Sequence, residues 1–328
     1  MIQQRKLRGF TLIEMMIAIT VGLFILGAVS AVVVNSSRSS KANDRTSELQ
    51  TNGRYALDMM RRDVQHAGQS GLTPAAGLLN AKNTGFFNIV AGVAVTNDCS
   101  AGFSLQLEQP VWGVNDSNAG VTACIPNANY SRGDILAVRY ADMQALTVNP
   151  ASPASAPTAA PVSATNNDIY FRSAYDASRI YQVGGAAPSV IGNGPMQDQL
   201  LKSYVYYIAP NTTGNDGIPA LYRVAMTAGS MSPELVASGI ENLQVRYGVL
   251  DAAGNTQYLD ANNVSAANWP LVSSVRIWLL VRNSDSEKGG AYSNTTTYSM
   301  GDVNYTPTAG TNDQFRRQLY TATVELRN

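Results

Sequence analysis

A long apolar run near the amino end is the strongest hydrophobic pattern in the chain. Residues 10–34 contain no Pro, Lys, Arg or Asp, and their single charged residue is Glu14. About twenty helical residues are enough to cross the hydrocarbon core of a membrane. The run therefore predicts a transmembrane helix over 10–34, in which the Glu14 carboxylate is costly unless it has a partner.

A second helical pattern follows the apolar run directly. No Pro occurs between positions 35 and 67, and small or apolar residues recur every three or four positions. This spacing is typical of one buried stripe on an amphipathic helix. The stripe consists of Leu49, Gly53, Ala56, Met60, Val64 and Ala67. We expect residues 35–67 to continue the helix and to pack on a sheet.

The later part of the chain has the alternating pattern of β-strands. Segments rich in β-branched and aromatic residues, bounded by Gly, Pro, Asn or Asp, predict strands at 103–107, 134–140, 168–173, 201–208, 220–226, 240–249, 272–282 and 317–327. In the sixth strand, Leu243 and Val245 alternate with Asn242 and Gln244, which predicts one apolar and one solvent-facing side. No long helical pattern separates the strands, so we expect an antiparallel sheet and an α+β fold.

A Pro/Ala/Ser-rich tract occupies residues 149–167. Such a composition does not form a packed core and predicts an extended segment. Predicted strands flank it closely, which favours a surface loop inserted within one domain over a linker between two domains.

Composition limits the classes of function. With 23 basic and 23 acidic residues the formal net charge is zero, so the positive footprint of a nucleic-acid-binding protein is missing. An apolar content of 45% is enough for a packed core. Arg5, Lys6 and Arg8 precede the apolar run, and the positive-inside rule places that end in the cytoplasm and the rest of the chain across the membrane.

Cysteine and histidine usage argues against metal or catalytic chemistry. Cys99 and Cys124 are the two cysteines, and we expect them to form a disulfide in an oxidising compartment. His66, the one histidine, suits the last turn of the predicted helix, where it interacts favourably with the helix dipole. Acidic loops at 215–217 and 251–260 lack the spacing of a calcium loop and predict turns. We expect no enzyme activity, cofactor or metal.

The junction around Gly9 resembles the type IV prepilin family. A basic leader ends in Gly9, and Phe10 is followed by Thr11, Leu12, Ile13, Glu14 and an apolar helix. A secretory signal peptide would have a shorter apolar core without an acid, and an ordinary membrane anchor explains neither Glu14 nor the junction. The resemblance implies a leader at 1–9, cleavage between Gly9 and Phe10 by a prepilin peptidase, and N-methylation of Phe10. It also implies that Glu14 pairs with the amino terminus of a neighbouring subunit.

Later segments resemble the PilW-type minor pilins in the order in which they occur. They are 217–223, 237–248, 275–282 and 315–328. The pattern is also similar to the J-type pseudopilins of type II secretion, which share the long helix and a wide sheet domain. The resemblance implies the type IV pilin fold, with a β-rich head over 68–328.

The implied function is that of a low-abundance subunit. With other minor pilins it would prime the assembly of a filament, cap its tip and contact the major pilin. Before assembly the chain would be a single-pass inner-membrane protein with its amino end inside, and afterwards it would be part of the pilus at the cell surface. There are two alternatives. One is a type II secretion pseudopilin. The other is a ligand-binding tip adhesin, whose adhesive surface would include aromatics such as Tyr204, Tyr206, Tyr207 and Trp278.

Overall fold

The computed structural model describes residues 9–73, 87–147, 167–175, 177–184, 196–251, 253–287 and 292–326. The predicted leader, except Gly9, and the Pro/Ala/Ser tract, except its last residue, lie outside these ranges. The chain divides into two compact units, Met1–Glu48 and Leu49–Asn328. The boundary falls inside the one long helix, α1, which runs from Leu12 to His66.

In the second unit, the end of α1 packs through the stripe that the periodicity predicts. Leu49, Ala56, Met60 and Val64 are buried against the head, which confirms the amphipathic pattern. Gly53 belongs to this face because a Cβ there would come within 2.3 Å of the Tyr320 ring. The absence of a side chain thus allows the ring to lie against the helix backbone, where the Tyr320 hydroxyl donates to the Leu49 carbonyl at 3.3 Å.

The largest sheet is formed from strands in the first part of the head and from a hairpin that follows them. Its strands are β1 (Phe87–Ile89), β2 (Val111–Val114), β3 (Arg132–Thr147), β4 (Ile169–Ser173), β5 (Ser178–Gln182), β6 (Gln197–Ala209), β7 (Ala220–Thr227) and β8 (Ser230–Ser238). The order is β1-β5-β4-β6-β3-β2, and β7 pairs with both β6 and β8. β1 pairs with β5 in parallel, whereas the other pairs of named strands in this sheet are antiparallel.

Two further sheets complete the second unit. β9 (Ile240–Leu250), β10 (Thr256–Leu259), β11 (Val272–Arg282) and β14 (Arg317–Glu325) form an antiparallel sheet in the order β10-β9-β11-β14. β12 (Tyr298–Met300) and β13 (Val303–Tyr305) form a small hairpin. One long helix with antiparallel sheets is the α+β architecture that the sequence predicts.

Apolar residues cover both faces of the largest sheet. On one face, Leu136 and Val138 of β3 join a cluster with α1, β9 and β11. On the other face, Ile135 and Ala137 pack against Leu107 and other residues of the segment that precedes β3. The alternation along β3 thus places this sheet between the second sheet with α1 and a layer of irregular structure.

One predicted strand, and the solvent-facing side predicted for another strand, need correction. The segment predicted as a strand at 103–107 forms a 3-10 helix over Phe103–Leu105, because the Asp98 carboxylate accepts the Ser104 N–H and starts a turn instead. The predicted solvent-facing residues Asn242 and Gln244 are buried. Gln244 donates to Asp116 at 3.0 Å, so another loop covers that side of β9.

A disulfide joins Cys99 to Cys124 and closes a segment of 25 residues beside the largest sheet. Such a cross-link stabilises a fold mainly by restricting the unfolded chain. Replacement of both cysteines by Ser is expected to lower the free energy of unfolding by about 3 to 4 kcal/mol. Urea denaturation with and without reductant measures this change. The reductant should destabilise the natural chain but leave the double variant unaffected, and equal responses would contradict the prediction.

The buried carboxylate of Asp134 connects the two larger sheets. One oxygen accepts the Asp116 N–H at 3.0 Å and the other accepts the Val245 N–H of β9 at 2.7 Å. Burial raises the pKa of Asp134 to about 7, against the effect of these two hydrogen bonds, and the nearby Asp116 and Asp302 raise it further. The protonated form of Asp134 is therefore favoured in the folded state up to about neutral pH.

The raised pKa predicts a pH dependence of stability. The pKa of Asp134 in the folded state lies above its unfolded value of about 4. The contribution of Asp134 to the free energy of unfolding is therefore fully present below pH 4 and is lost as the pH rises to about 7. Urea midpoints of the natural chain and the Asp134→Asn variant between pH 4 and 8 test this. The natural chain should lose stability relative to the variant, which does not titrate at this position. A difference between the two urea midpoints that stays constant from pH 4 to 8 would refute the raised pKa of Asp134.

Candidate assembly site

The predicted processing junction precedes α1. Gly9 and Phe10 are exposed and lie outside the helix, which begins at Leu12. The Phe10 side chain has 87% of its surface accessible. Both residues of the predicted junction are thus accessible and precede the first turn of the helix.

Glu14 and Thr11 form a capping box at the start of α1. The Thr11 N–H and hydroxyl both donate to one Glu14 carboxylate oxygen at 2.9 Å, and the Glu14 N–H donates to the Thr11 hydroxyl at 3.3 Å. This reciprocal arrangement satisfies donors that the first turn of a helix leaves free. The Thr-x-x-Glu spacing is its signal in the sequence. The structure therefore adds Thr11 to the residues predicted at this site.

The helix beyond Glu14 exposes apolar side chains on all sides. Large residues such as Ile17, Leu23, Phe24 and Val32 each leave more than half of their surface accessible. By length and composition, α1 is the one helix in the described part of the chain that is able to cross a membrane. Since water disfavours so large an apolar surface, a membrane or other apolar helices must cover this segment.

A polar cluster fixes the last turns of α1 in the second unit. Tyr140 donates to Asp63 at 3.0 Å, Tyr206 donates to its other oxygen, and Arg223 lies 3.3 Å from that oxygen. Burial, with the negative charge of Asp63, raises the pKa of both tyrosine hydroxyls, so they stay protonated and donate. No local pattern points to Asp63, because its partners lie on distant strands.

The remaining candidates have structural surroundings. His66 ends α1, with its ring 5.6 Å from that of Tyr140. Asp216 and Asp251 accept backbone N–H groups of their own loops, as turns require. The described residues contain no group of three or more His, Cys, Asp or Glu positioned to hold a metal ion.

The four tyrosine and tryptophan candidates for an adhesive surface are mostly covered. Tyr206 and Tyr207 are buried in the core clusters of the head. Tyr204 and Trp278 are partly buried, and the Arg223 guanidinium lies 4.2 Å from the centre of the Tyr204 ring. Tyr204 and Tyr206 are two positions apart and lie on the same face of β6, where Tyr206 is buried and Tyr204 keeps part of its surface accessible.

The first part of α1 is exposed and apolar and has one capping carboxylate, and one face of its later part packs on antiparallel strands. These features define a type IV pilin-like protein. The comparisons agree with this class. Residues 4–30 match the prokaryotic N-terminal methylation motif, and residues 205–328 match the family described as type IV pilus-assembly protein W. These two matches support a PilW-like type IV pilin, as the sequence resemblance indicates. This is a structural class of protein, not an enzyme.

A type IV-like pilin from Thermus thermophilus is among the similar solved structures. It is 14% identical in sequence, the likeness covers 61% of this chain and 79% of that chain, and the TM-score is 0.25. No curated protein matches the sequence.

Proposed function

We propose that this chain is a minor pilin, made as a prepilin, that primes the assembly of a type IV pilus. The observation that carries the proposal is the N-terminal methylation motif at 4–30 in one chain with the PilW match at 205–328. The leader at 1–9 is removed by a prepilin peptidase, and Phe10 becomes the N-methylated first residue. The exposure of Gly9 and Phe10 supports this step.

Residues 10–34 hold the chain in the inner membrane as a single span before assembly, with the amino end inside. Arg5, Lys6 and Arg8 support this orientation. Residues 35–67 then carry the helix to the exported head at 68–328. During assembly the apolar segment leaves the lipid for a bundle of pilin helices, which covers the side chains that the isolated chain exposes.

In the filament, Glu14 pairs with the charged amino terminus of a neighbouring subunit. Opposite charges attract strongly in an apolar bundle when they are close, whereas a single buried carboxylate is penalised. The capping box supports this role because it holds the carboxylate at the first turn of α1, near the end of the chain that cleavage creates. The partners are other minor pilins and the major pilin.

A position at the tip follows from the bulk of the head. A domain of this size is difficult to repeat along a thin helical fibre but is easily placed once at its end. Deletion of the gene should therefore abolish surface fibres, as electron microscopy would show. Normal fibres that fail to attach would favour the tip adhesin instead, and normal fibres with failed protein secretion would favour the J-type pseudopilin.

A further inference from the structure

A cavity of about 380 Å³ lies beside the loop that connects β6 to β7. Residues 209–215 line one side, and Ala128 and Asn129, from the segment before β3, line another. Tyr207 of β6 and Tyr222 of β7 contribute their side chains, with ring centres 5.9 Å apart. The volume lies within the range of about 300 to 1,000 Å³ that is typical of small-molecule sites.

The hydroxyl of Tyr207 is the unusual group in this cavity. Tyr207 as a whole is 2% exposed, and no hydrogen bond joins its hydroxyl to another described residue. In contrast, the hydroxyl of the neighbouring Tyr222 donates to the Thr212 carbonyl. The Tyr207 oxygen is not among the buried side-chain atoms that lack a partner, so the hydroxyl is accessible from the cavity and is able to bond a ligand or an ordered water.

Other neutral polar side chains surround the same space. Asn129, Thr213 and Asn215 line the cavity and are exposed, so their amide and hydroxyl groups are accessible to a ligand. The Tyr222 ring is partly exposed and offers an aromatic surface. Of the described residues that line the cavity, none is Asp, Glu, Lys or Arg.

Hydrogen bonds within the loop between β6 and β7 stabilise its conformation. The Asp216 carboxylate accepts N–H groups of Thr212, Thr213 and Ile218 at 3.0 to 3.2 Å. Asn211 accepts the Gly217 N–H at 2.7 Å through its side-chain oxygen. Hydrogen bonding within the loop also lowers the pKa of Asp216 to about 2, so it stays ionised and keeps these contacts at physiological pH. A fixed loop avoids part of the entropy cost of binding.

We propose that this cavity binds a neutral saccharide. A charged ligand would find no opposite charge there, and an apolar ligand would leave the amides and the Tyr207 hydroxyl without partners. A peptide in extended form would need an open strand edge for its backbone, whereas the groups here are side-chain amides and hydroxyls. Sugar hydroxyls pair with such groups, and one sugar face packs on the Tyr222 ring. The proposal does not depend on the assembly role, because every residue of the cavity belongs to the head.

The test is binding of the full-length chain, in detergent, to an array of neutral and acidic oligosaccharides, followed by titration with the free sugar of any neutral hit. Saturable binding to neutral glycans is expected. The Tyr207→Phe variant removes one oxygen that has no partner in the protein, so it should fold normally, with an unchanged urea midpoint. It should raise the dissociation constant about three- to tenfold, the effect of one lost hydrogen bond.

Two variants complete the test. Asn129→Ala removes an exposed amide from the cavity and should also weaken binding. Tyr55→Phe is the matched control, because Tyr55 is 49% exposed on α1 and does not line the cavity. Absence of binding to neutral glycans, binding to acidic glycans alone, or equal affinity of Tyr207→Phe and Tyr55→Phe would each overturn the proposal.

Discussion

Replacement of Glu14 by Ala is expected to abolish incorporation of the chain into filaments while cleavage after Gly9 proceeds normally. The variant removes the single charge from residues 10–34. It keeps the membrane span, and it removes a charge whose cost near the end of the span is below the value of about 2.5 to 3.5 kcal/mol for a charge at the membrane centre. What it loses is the partner for the amino terminus of the neighbouring subunit. Immunoblots of membranes and sheared fibres would show mature chain in the membrane and at least a tenfold loss from fibres.

The capping box complicates that experiment, and a second pair of variants resolves it. Glu14→Gln keeps an acceptor for the Thr11 donors but removes the charge. Thr11→Ala removes the hydroxyl of the cap but keeps the carboxylate. If charge pairing drives assembly, Glu14→Gln should fail as Glu14→Ala does, and Thr11→Ala should still enter fibres. Incorporation of Glu14→Gln at the natural level would show that Glu14 acts as a helix cap alone.

The second large effect is expected in the sheet of the head. Arg172 of β4 and Asp198 of β6 lie opposite each other in the ladder, and both are completely buried. The guanidinium makes two hydrogen bonds to the carboxylate, at 2.7 and 2.8 Å. Replacement of Arg172 by Met leaves the Asp198 charge buried without this partner and should lower the free energy of unfolding by about 3 to 5 kcal/mol. Urea denaturation of the full-length chain in detergent measures the loss.

Two controls separate an unpaired charge from a general loss of packing. The double variant Arg172→Met with Asp198→Leu removes both charges and should recover most of the lost stability. Lys202→Met breaks a pair that is partly exposed, with 3.7 Å between the Lys202 and Asp142 atoms, and should change stability by less than about 1 kcal/mol. A double variant as unstable as the single one would contradict the explanation.

Local pattern was enough to predict the helix, the main strands and their antiparallel pairing. The residues of the stripe from Leu49 to Val64 recur every three to four positions, and the structure buries them. Asp63 lies on the same buried face but has no local signal, because its partners Tyr140 and Tyr206 are 77 and 143 positions away. Tertiary contacts of this kind are not visible in a window of neighbouring residues.

The strand β8, which the sequence pattern does not predict, has a physical explanation. β8 contains Pro233 and several polar residues, which argue against a central strand. It forms because it pairs with β7 on one side, and Pro is tolerated where no N–H is needed for a second partner.

The burial of Gln244 also depends on distant residues. In the sequence, Gln244 alternates like a solvent-facing residue. It is buried because Asp116 and the turn at Gly301, distant in sequence, pack over it.

Quantitative mass spectrometry of sheared surface filaments tests the central claim most directly. It counts this chain against the major pilin and identifies its amino-terminal residue. The account predicts a few copies per fibre, each beginning at N-methylated Phe10. Absence of the chain from fibres that still form, or a number of copies close to that of the major pilin, would contradict it.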